Sequence, residues 1–161
     1  MIITVSDKTR FKFTARGANR ADLQFDATTL GVGQSVSVGG QFQAGTPPTF
    51  AARAVFLRLQ SIVGNFASIL ATSGDGKTGG FSMLPCGPIL GGRSITVLTF
   101  NQTAFAGVSD LNGLTARPTL VVKGLLFYQQ TPGSMNNVTW SPPANVQVAK
   151  QVHQLPEVSG P

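Results

Sequence analysis

The chain has 161 residues, of which 42% are hydrophobic and 11% are charged, and its formal net charge is +6. This length suits a single domain that buries a sizeable core. The scarcity of charges, together with 19 glycines and 10 prolines, excludes a protein built of long solvent-exposed helices and favours an all-β chain of short strands.

The first predicted strand is residues 9–16, TRFKFTAR, in which apolar and cationic side chains alternate. Period-two alternation is typical of a half-buried strand, because successive side chains point to opposite faces of the sheet. The inner face would carry Thr9, Phe11, Phe13 and Ala15, and the outer face Arg10, Lys12, Thr14 and Arg16. We therefore predict a strand with a cationic outer surface.

The next predicted elements are a loop over 17–33, a short strand over 34–38 that ends at two glycines, and a break at two prolines. The strongest strand pattern covers 53–63, and a turn is predicted directly after it at Gly64 and Asn65. We expect its apolar face to hold Val55, Leu57, Leu59 and Val63, and its other face Arg58 and Gln60.

Four further strands are predicted after residue 65, and the last of them is apolar enough to be buried on both faces. Strands about 8–12 residues apart, separated by turn residues, are typical of a sandwich or barrel. The segments are 66–72, 80–84, 93–100 and 119–129.

Beyond residue 130 the sequence becomes polar and rich in proline. We therefore predict one domain over 1–130 and a C-terminal tail over 131–161 that stays outside the core. Within the tail, 145–152 alternates enough to add an edge strand or to lie over a neighbouring subunit. Trp140 is the one tryptophan of the chain.

Residues 71–80, ATSGDGKTGG, contain the letters GKT at positions 76–78 and so resemble a phosphate-binding loop. That loop requires a glycine five residues earlier, where this chain has Ala71, and a helix directly after it. The residues that follow are Gly-Gly-Phe-Ser-Met-Leu-Pro, which cannot start a stable helix. We predict a hairpin turn at Asp75 and Gly76 in place of a nucleotide site.

Residue types that carry catalysis or bind metals are scarce. The single histidine, His153, lies in the predicted tail, and the six acidic residues are scattered, so neither a Ser–His–Asp triad nor a carboxylate pair is expected. A structural zinc site would need four ligands, and the chain has one histidine and one cysteine. The one cysteine, Cys86, is expected to be a small buried residue. Asp22 and Asp26 form a close acidic pair, so a bound calcium ion stays open as an alternative to a chain without metal. We predict no enzyme and no cofactor.

The chain has 11 phenylalanines but one tyrosine and one tryptophan. Surfaces that stack on bases or sugars favour tyrosine and tryptophan, which keep a polar edge in water. We therefore expect the phenylalanines at strand positions to pack in the core, which weakens a sugar-binding hypothesis. They are Phe11, Phe13, Phe56, Phe100 and Phe127.

The excess of positive charge suggests an acidic partner, although an ordinary solvated basic surface is the alternative. Five cations fall within thirteen residues near the N-terminus and are candidates for contacts with the phosphates of a nucleic acid. They are Lys8, Arg10, Lys12, Arg16 and Arg20. We expect no membrane partner and no secretory signal, because no long apolar run is present and the first residues lack a basic flank.

Residues 50–130 resemble the jelly-roll coat proteins of very small spherical RNA viruses, particularly those of satellite viruses. The resemblance lies in RAVFLRLQSIVGNFASILAT, in GPILGGRSITVLTFNQTAF and in RPTLVVKGLLFYQQ. It covers about half of the chain and contains no signature motif. The usual Arg/Lys-rich N-terminal arm of such proteins is absent, and only a diffuse basic beginning is present.

The resemblance implies an antiparallel jelly-roll sandwich that assembles with itself, in about 60 copies, into an icosahedral shell around non-specifically packaged RNA. It also implies localisation in the virion after assembly in a host cytoplasm, with no small-molecule substrate. The competing hypothesis is a non-enzymatic binding module, such as a phage decoration protein or a lectin-like β-sandwich.

Overall fold

The computed structural model describes residues 1–14, 23–115, 118–140 and 144–156. Three short 3-10 helices lie among the strands, and none of the helices in the described part is long and apolar enough to cross a membrane. The strands are β1 (Ile2–Thr4), β2 (Arg10–Lys12), β3 (Val36–Gln43), β4 (Thr49–Leu57), β5 (Gln60–Thr72), β6 (Gly79–Pro85), β7 (Ile95–Thr99), β8 (Ala104–Ala106), β9 (Thr119–Gln130), β10 (Gly133–Met135), β11 (Val138–Trp140) and β12 (Ala144–Gln154).

The larger sheet closes on itself. Its strands follow the order β7-β6-β5-β9-β12-β8, and β7 pairs with β12 as well as with β6. Strands β5, β6, β7, β12 and β9 therefore form a closed ring. The interior of this ring is filled by apolar side chains from all five strands, among them Ile62, Phe81, Val97, Leu126 and Val152.

The smaller sheet has four strands and packs on the outside of the ring. In it β3 pairs with one edge of β4, and β1 and β2 follow each other along the other edge. A second core lies between this sheet and the outer face of the ring, where Val55 and Leu57 of β4 join Leu98, Phe127 and Val148. Because β9 and β12 contribute to both cores, each is buried on both faces.

The all-β class predicted from the sequence is confirmed, as is the burial of both faces of the strand at 119–129. The expectation of purely antiparallel pairing is wrong. Strands β1 and β2 run parallel to β4, and β7 and β8 run parallel to β12. For β7 and β8 the physical reason is that β12 returns through the larger sheet next to both of them, between β9 and β7, instead of adding to an edge.

The prediction that residues beyond 130 stay outside the core is wrong for the described part of that segment. Strand β12 pairs with β9 over almost its whole length, and Val146 and Val152 have no exposed surface. Trp140 is also buried, and its indole Nε1 donates a hydrogen bond of 2.8 Å to the carbonyl of Thr131. Prolines flank β12 in the sequence, whereas β12 itself contributes apolar side chains to both cores.

The segment predicted as one strand at 53–63 is two strands in different sheets. Strand β4 ends at Leu57 in the smaller sheet, and β5 begins at Gln60 in the larger one. The change of sheet also changes which side chains face inward, so Leu59 and Val63 are 40% and 43% exposed whereas Ile62 is buried.

The predicted turn at Gly64 and Asn65 is absent, because β5 continues through both residues. Gly64 serves a close approach: a Cβ atom there would lie 2.7 Å from the carbonyl oxygen of Leu84 on β6.

The hairpin turn predicted at Asp75 and Gly76 is confirmed between β5 and β6. Gly76 has a φ of +74°, and the amide of Ser73 donates to the carbonyl of Thr78 at 2.9 Å. The Asp75 carboxylate accepts hydrogen bonds from the Ser73 hydroxyl, from the amides of Lys77 and Thr78 and from the Thr78 hydroxyl. These bonds hold the pKa of Asp75 well below its ordinary value, the bond from Ser73 contributing most.

Candidate nucleic-acid interface

The outward face of the smaller sheet gathers cations from two strands and the residue that follows one of them. Strand β2 is aligned so that Arg10 lies opposite Ala54 and Lys12 opposite Phe56. On the other edge of β4, Ser37 also lies opposite Phe56. Residues directly opposite each other in neighbouring strands share a face. Arg10, Lys12, Phe56 and Ser37 are therefore on the same side of the sheet.

The packing of two phenylalanines fixes which way β2 faces. The Phe11 ring meets the Phe25 ring edge to face at 5.5 Å, and the Phe13 ring meets Phe127 in the same way at 4.9 Å. Because side chains alternate along a strand, burial of these rings directs Arg10 and Lys12 outward. The sequence-based prediction of a cationic outer face is confirmed for these two residues, and both are exposed.

A β-bulge brings a third cation to this surface. Gly39 and Gly40 are consecutive on β3 but pair with Ala54 and Ala52, so Arg53 is the extra residue on β4. The bulge lets Ala52 and Val55 both face the core and leaves Arg53 exposed. The Arg53 guanidinium Nη2 lies 3.5 Å from the side-chain oxygen of Gln41, a β3 residue on the same face as Ser37.

A fourth cation, Arg58, follows the end of β4 and is held by a hydrogen bond. Its Nε donates to the hydroxyl of Ser37 at 2.6 Å, and its Cζ lies 5.8 Å from the centre of the Phe56 ring. The Lys12 Nζ lies over the same ring, also at 5.8 Å. Phe56 therefore stands between two cations and is half-buried on the outer face, so the expectation that it packs in the core is wrong. We call Arg10, Lys12, Arg53 and Arg58 the basic face.

No carboxylate within the described ranges neutralises these cations, because no two described residues form an ion pair. Three of the four described aspartates are engaged locally. Asp26 and Asp110 cap short 3-10 helices, and Asp75 is bound within its own turn. The basic face consequently presents uncompensated positive charge to the solvent, which is the electrostatic requirement for binding a phosphate backbone.

The remaining predicted phosphate contacts are placed differently. Lys8 is exposed in the turn between β1 and β2, where its amide hydrogen-bonds to the Ser6 hydroxyl. Arg16 and Arg20 lie outside the described residues, as does Asp22 of the open calcium pair. Cys86 is exposed, so the expectation that it is buried is wrong.

The sequence-based prediction did not place Arg53 and Arg58 beside the N-terminal cations Arg10 and Lys12. The outward direction of Arg58 was visible in the strand pattern, but its neighbours were not, because register between β2 and β4 depends on contacts 44 residues apart. Arg53 could not be found by alternation at all, since a bulge breaks the period of two.

Two cavities lie elsewhere on the molecule. One of about 410 Å³ is lined by apolar side chains, including Leu59, Leu125 and Val148, and by polar ones, including Thr103 and Lys150. A smaller one of about 280 Å³ is lined by Trp140, Asn145 and several hydroxyl side chains. No protein-family model matches the chain, and neither a curated protein nor a solved structure matches it.

Proposed function

We propose that this protein is a structural coat subunit that assembles with itself into a small icosahedral shell and holds RNA without sequence preference. The observation that carries the proposal is the basic face, four cations on one sheet surface with no described carboxylate paired to them. Such a surface suits a phosphate backbone because binding releases the counterions condensed on the nucleic acid. The proposal assigns no catalytic residue, no cofactor and no small-molecule substrate.

The charge of an assembled shell fits a packaging role. Sixty copies of a chain with net charge +6 carry about +360 in total. That charge is useful against a phosphate backbone but smaller than the charge of a full small genome. Binding is therefore expected to depend strongly on salt and weakly on base sequence, with other cations completing the neutralisation.

Exposed apolar side chains on the smaller sheet support self-assembly. Ile3 of β1 and Phe42 of β3 both lie opposite Phe50 of β4, and they form a row across three strands. Ile3 is 50% exposed and Phe42 is 58% exposed in the isolated chain. A contiguous apolar row of this kind is what a contact between subunits covers.

The relation to jelly-roll coat proteins is part of the proposal. Packing of the smaller sheet against β7, β9 and β12 supports it, because a jelly roll also consists of two facing sheets. The parallel pairs of β12 with β7 and β8 count against it, because jelly-roll sheets pair antiparallel.

The test is to express the chain, measure its mass by light scattering during size-exclusion chromatography, and image it by electron microscopy. We expect particles of megadalton mass that contain RNA. Replacing the whole basic face with serine should leave particles that are empty of RNA. The matched control replaces four exposed cations elsewhere, Lys77, Arg93, Lys123 and Lys150, and should retain RNA. A compact monomer at high concentration across salt would refute the coat function.

A second candidate, a sugar-binding module, is favoured by the smaller cavity. Its lining combines Trp140 with Thr139, Asn145 and three further hydroxyl side chains, Ser82, Ser94 and Thr96. Aromatic and hydroxyl side chains together are typical of carbohydrate sites. Trp140 is nearly buried, however, and its indole nitrogen is already hydrogen-bonded, so little of the ring is open to stack on a sugar. Glycan binding by a small, monomeric species would support this candidate over the coat function.

A further inference from the structure

Phe56 differs from the other phenylalanines on the strands of the smaller sheet. Phe11 packs against the core and contacts Phe25, and Phe50 and Phe42 belong to the apolar row. Phe56 instead stands on the outer face, half-buried, with cationic side chains beside its ring. It brings an aromatic surface into the middle of the basic face.

The two cations beside the ring are held unequally. Arg58 is fixed by its 2.6 Å hydrogen bond to the Ser37 hydroxyl. Lys12 is exposed, and its contact with the ring is the 5.8 Å approach of its ammonium group. An exposed cation–π contact is weaker than the stacking of a nucleobase on an aromatic ring. A base can therefore displace the Lys12 ammonium from the ring, while Arg58 stays in place.

The surface next to Phe56 has room for a base. Its neighbours on the same face include Ala54 on β4 and Gly39 on β3, which lie opposite each other. A Cβ atom built at Gly39 would have nothing within 4 Å. These small residues leave an open floor beside the ring, bordered by the cations Arg10 and Lys12 of β2.

We propose that Phe56 is a stacking platform for an unpaired base, so that the basic face selects single-stranded RNA over duplex RNA. The base stacks on Phe56, the displaced Lys12 ammonium moves to a backbone phosphate, and Arg58 binds an adjacent phosphate from its fixed position. The bases of a duplex are already stacked within the helix and cannot reach the ring. Selection among bases is weak, because every base has a flat face to stack. This inference rests on the proposed RNA-binding function.

The test compares single-stranded oligouridine, duplex RNA of equal length and an abasic single strand of equal charge, each titrated with the protein by fluorescence anisotropy. We expect Phe56→Leu to weaken binding of oligouridine about tenfold and to leave duplex binding and the salt slope unchanged. Phe56→Tyr, which keeps the stacking ring, should retain the wild-type affinity. The wild-type protein should bind the abasic strand about tenfold more weakly than oligouridine.

The abasic strand needs no protein variant, so it tests the proposal even where Phe56→Leu disturbs folding. Equal affinity of the wild type for the abasic strand and oligouridine would overturn the stacking role, as would an equal effect of Phe56→Leu on single strand and duplex. Either result can occur while RNA binding stays dependent on salt, which leaves the proposed function standing. The proposed function itself would fail on a different result. In that case, replacing the four cations of the basic face with serine would not weaken binding to either RNA.

Discussion

Val146 of β12 lies directly opposite Phe127 of β9, and neither side chain has any exposed surface. The same stretch of β12 pairs on its other edge with β7. The C-terminal strand thus joins two strands that would otherwise be open edges, and it closes the ring of the larger sheet. A chain without β12 would expose Phe127 and its neighbours to water.

The first prediction is that truncation after Gln130 abolishes the fold. Full burial of each valine contributes about 1.5–3 kcal/mol, and three valines of β12 are buried, against a total stability of about 5–15 kcal/mol for a typical domain. We expect no cooperative thermal transition by circular dichroism. Truncation after Pro156 is the control and should unfold cooperatively. A cooperative transition of the 1–130 fragment near the wild-type temperature would contradict this prediction.

Alternation of side chains was enough to predict much of the fold from the sequence. Phe11 and Phe13 against Arg10 and Lys12 correctly marked both faces of β2, because period two needs no knowledge of a partner. The apolar run from 119 to 129 correctly marked a strand buried on both faces. What alternation lacks is the identity of the neighbouring strand.

The parts that the sequence did not reveal all depend on neighbours. The change of sheet between Leu57 and Gln60 occurs within one apolar pattern, and nothing in that pattern separates the two strands. The prolines around β12 suggested a tail, although the burial of Val152 is decided by β9. Phe56 was expected in the core although alternation with Val55 and Leu57 places it on the outer face, and its contacts with Lys12 and Arg58 depend on the register of the neighbouring strands.

The second prediction concerns two glycines in extended strands. Gly64→Ala should lower the free energy of unfolding by about 1–3 kcal/mol, because the added methyl would meet the Leu84 carbonyl at 2.7 Å and the sheet must shift. Gly39→Ala is the matched control. It meets nothing within 4 Å and should be neutral or stabilising by up to about 1 kcal/mol. Urea unfolding of both variants measures the difference, and equal losses would contradict the role assigned to Gly64.

The third prediction is a dependence of stability on pH at the β5–β6 turn. Hydrogen bonds from Ser73, Thr78 and Lys77 hold the folded pKa of Asp75 below its ordinary value of 3.8. A depressed folded pKa contributes stability above the unfolded pKa, and that contribution is lost as pH falls toward the folded pKa. The melting temperature of wild type should therefore exceed that of Asp75→Asn by a constant amount from about pH 5 to 8 and by less below about pH 4.

Asp7→Asn is the control for this experiment, since Asp7 is an exposed carboxylate for which the structure shows no side-chain hydrogen bond. It separates the turn from the general effect of removing one negative charge. A difference between wild type and Asp75→Asn that stays the same from pH 5 to pH 3 would show that the turn does not depend on the ionised carboxylate.

The fourth prediction is that the apolar row directs assembly. Replacing Ile3 and Phe42 together with serine should shift the protein from particles to small species in size-exclusion chromatography with light scattering. Both side chains are half exposed or more in the single chain, so we expect the folding stability to change by no more than about 1 kcal/mol. Val32→Ser is the control, because Val32 is 94% exposed outside the sheets and should leave assembly unchanged. Particles of normal mass from the double variant would remove the row from the subunit contact.

The last prediction is a stepwise change in the salt dependence of RNA binding. The four cations of the basic face are exposed, so they can be removed without disturbing the phenylalanines that hold β2 in place. On single strands, each lost phosphate contact should reduce the slope of log K against log salt concentration by roughly 0.7. We therefore expect the slope to fall progressively in Arg10→Ser, in the double variant with Lys12→Ser, and in the variant that also carries Arg53→Ser and Arg58→Ser.

The control variant that lacks Lys77, Arg93, Lys123 and Lys150 removes the same charge from other exposed positions and should keep the wild-type slope. Equal slopes for the two quadruple variants would mean that net charge, and not the arrangement of this face, governs the contact with RNA.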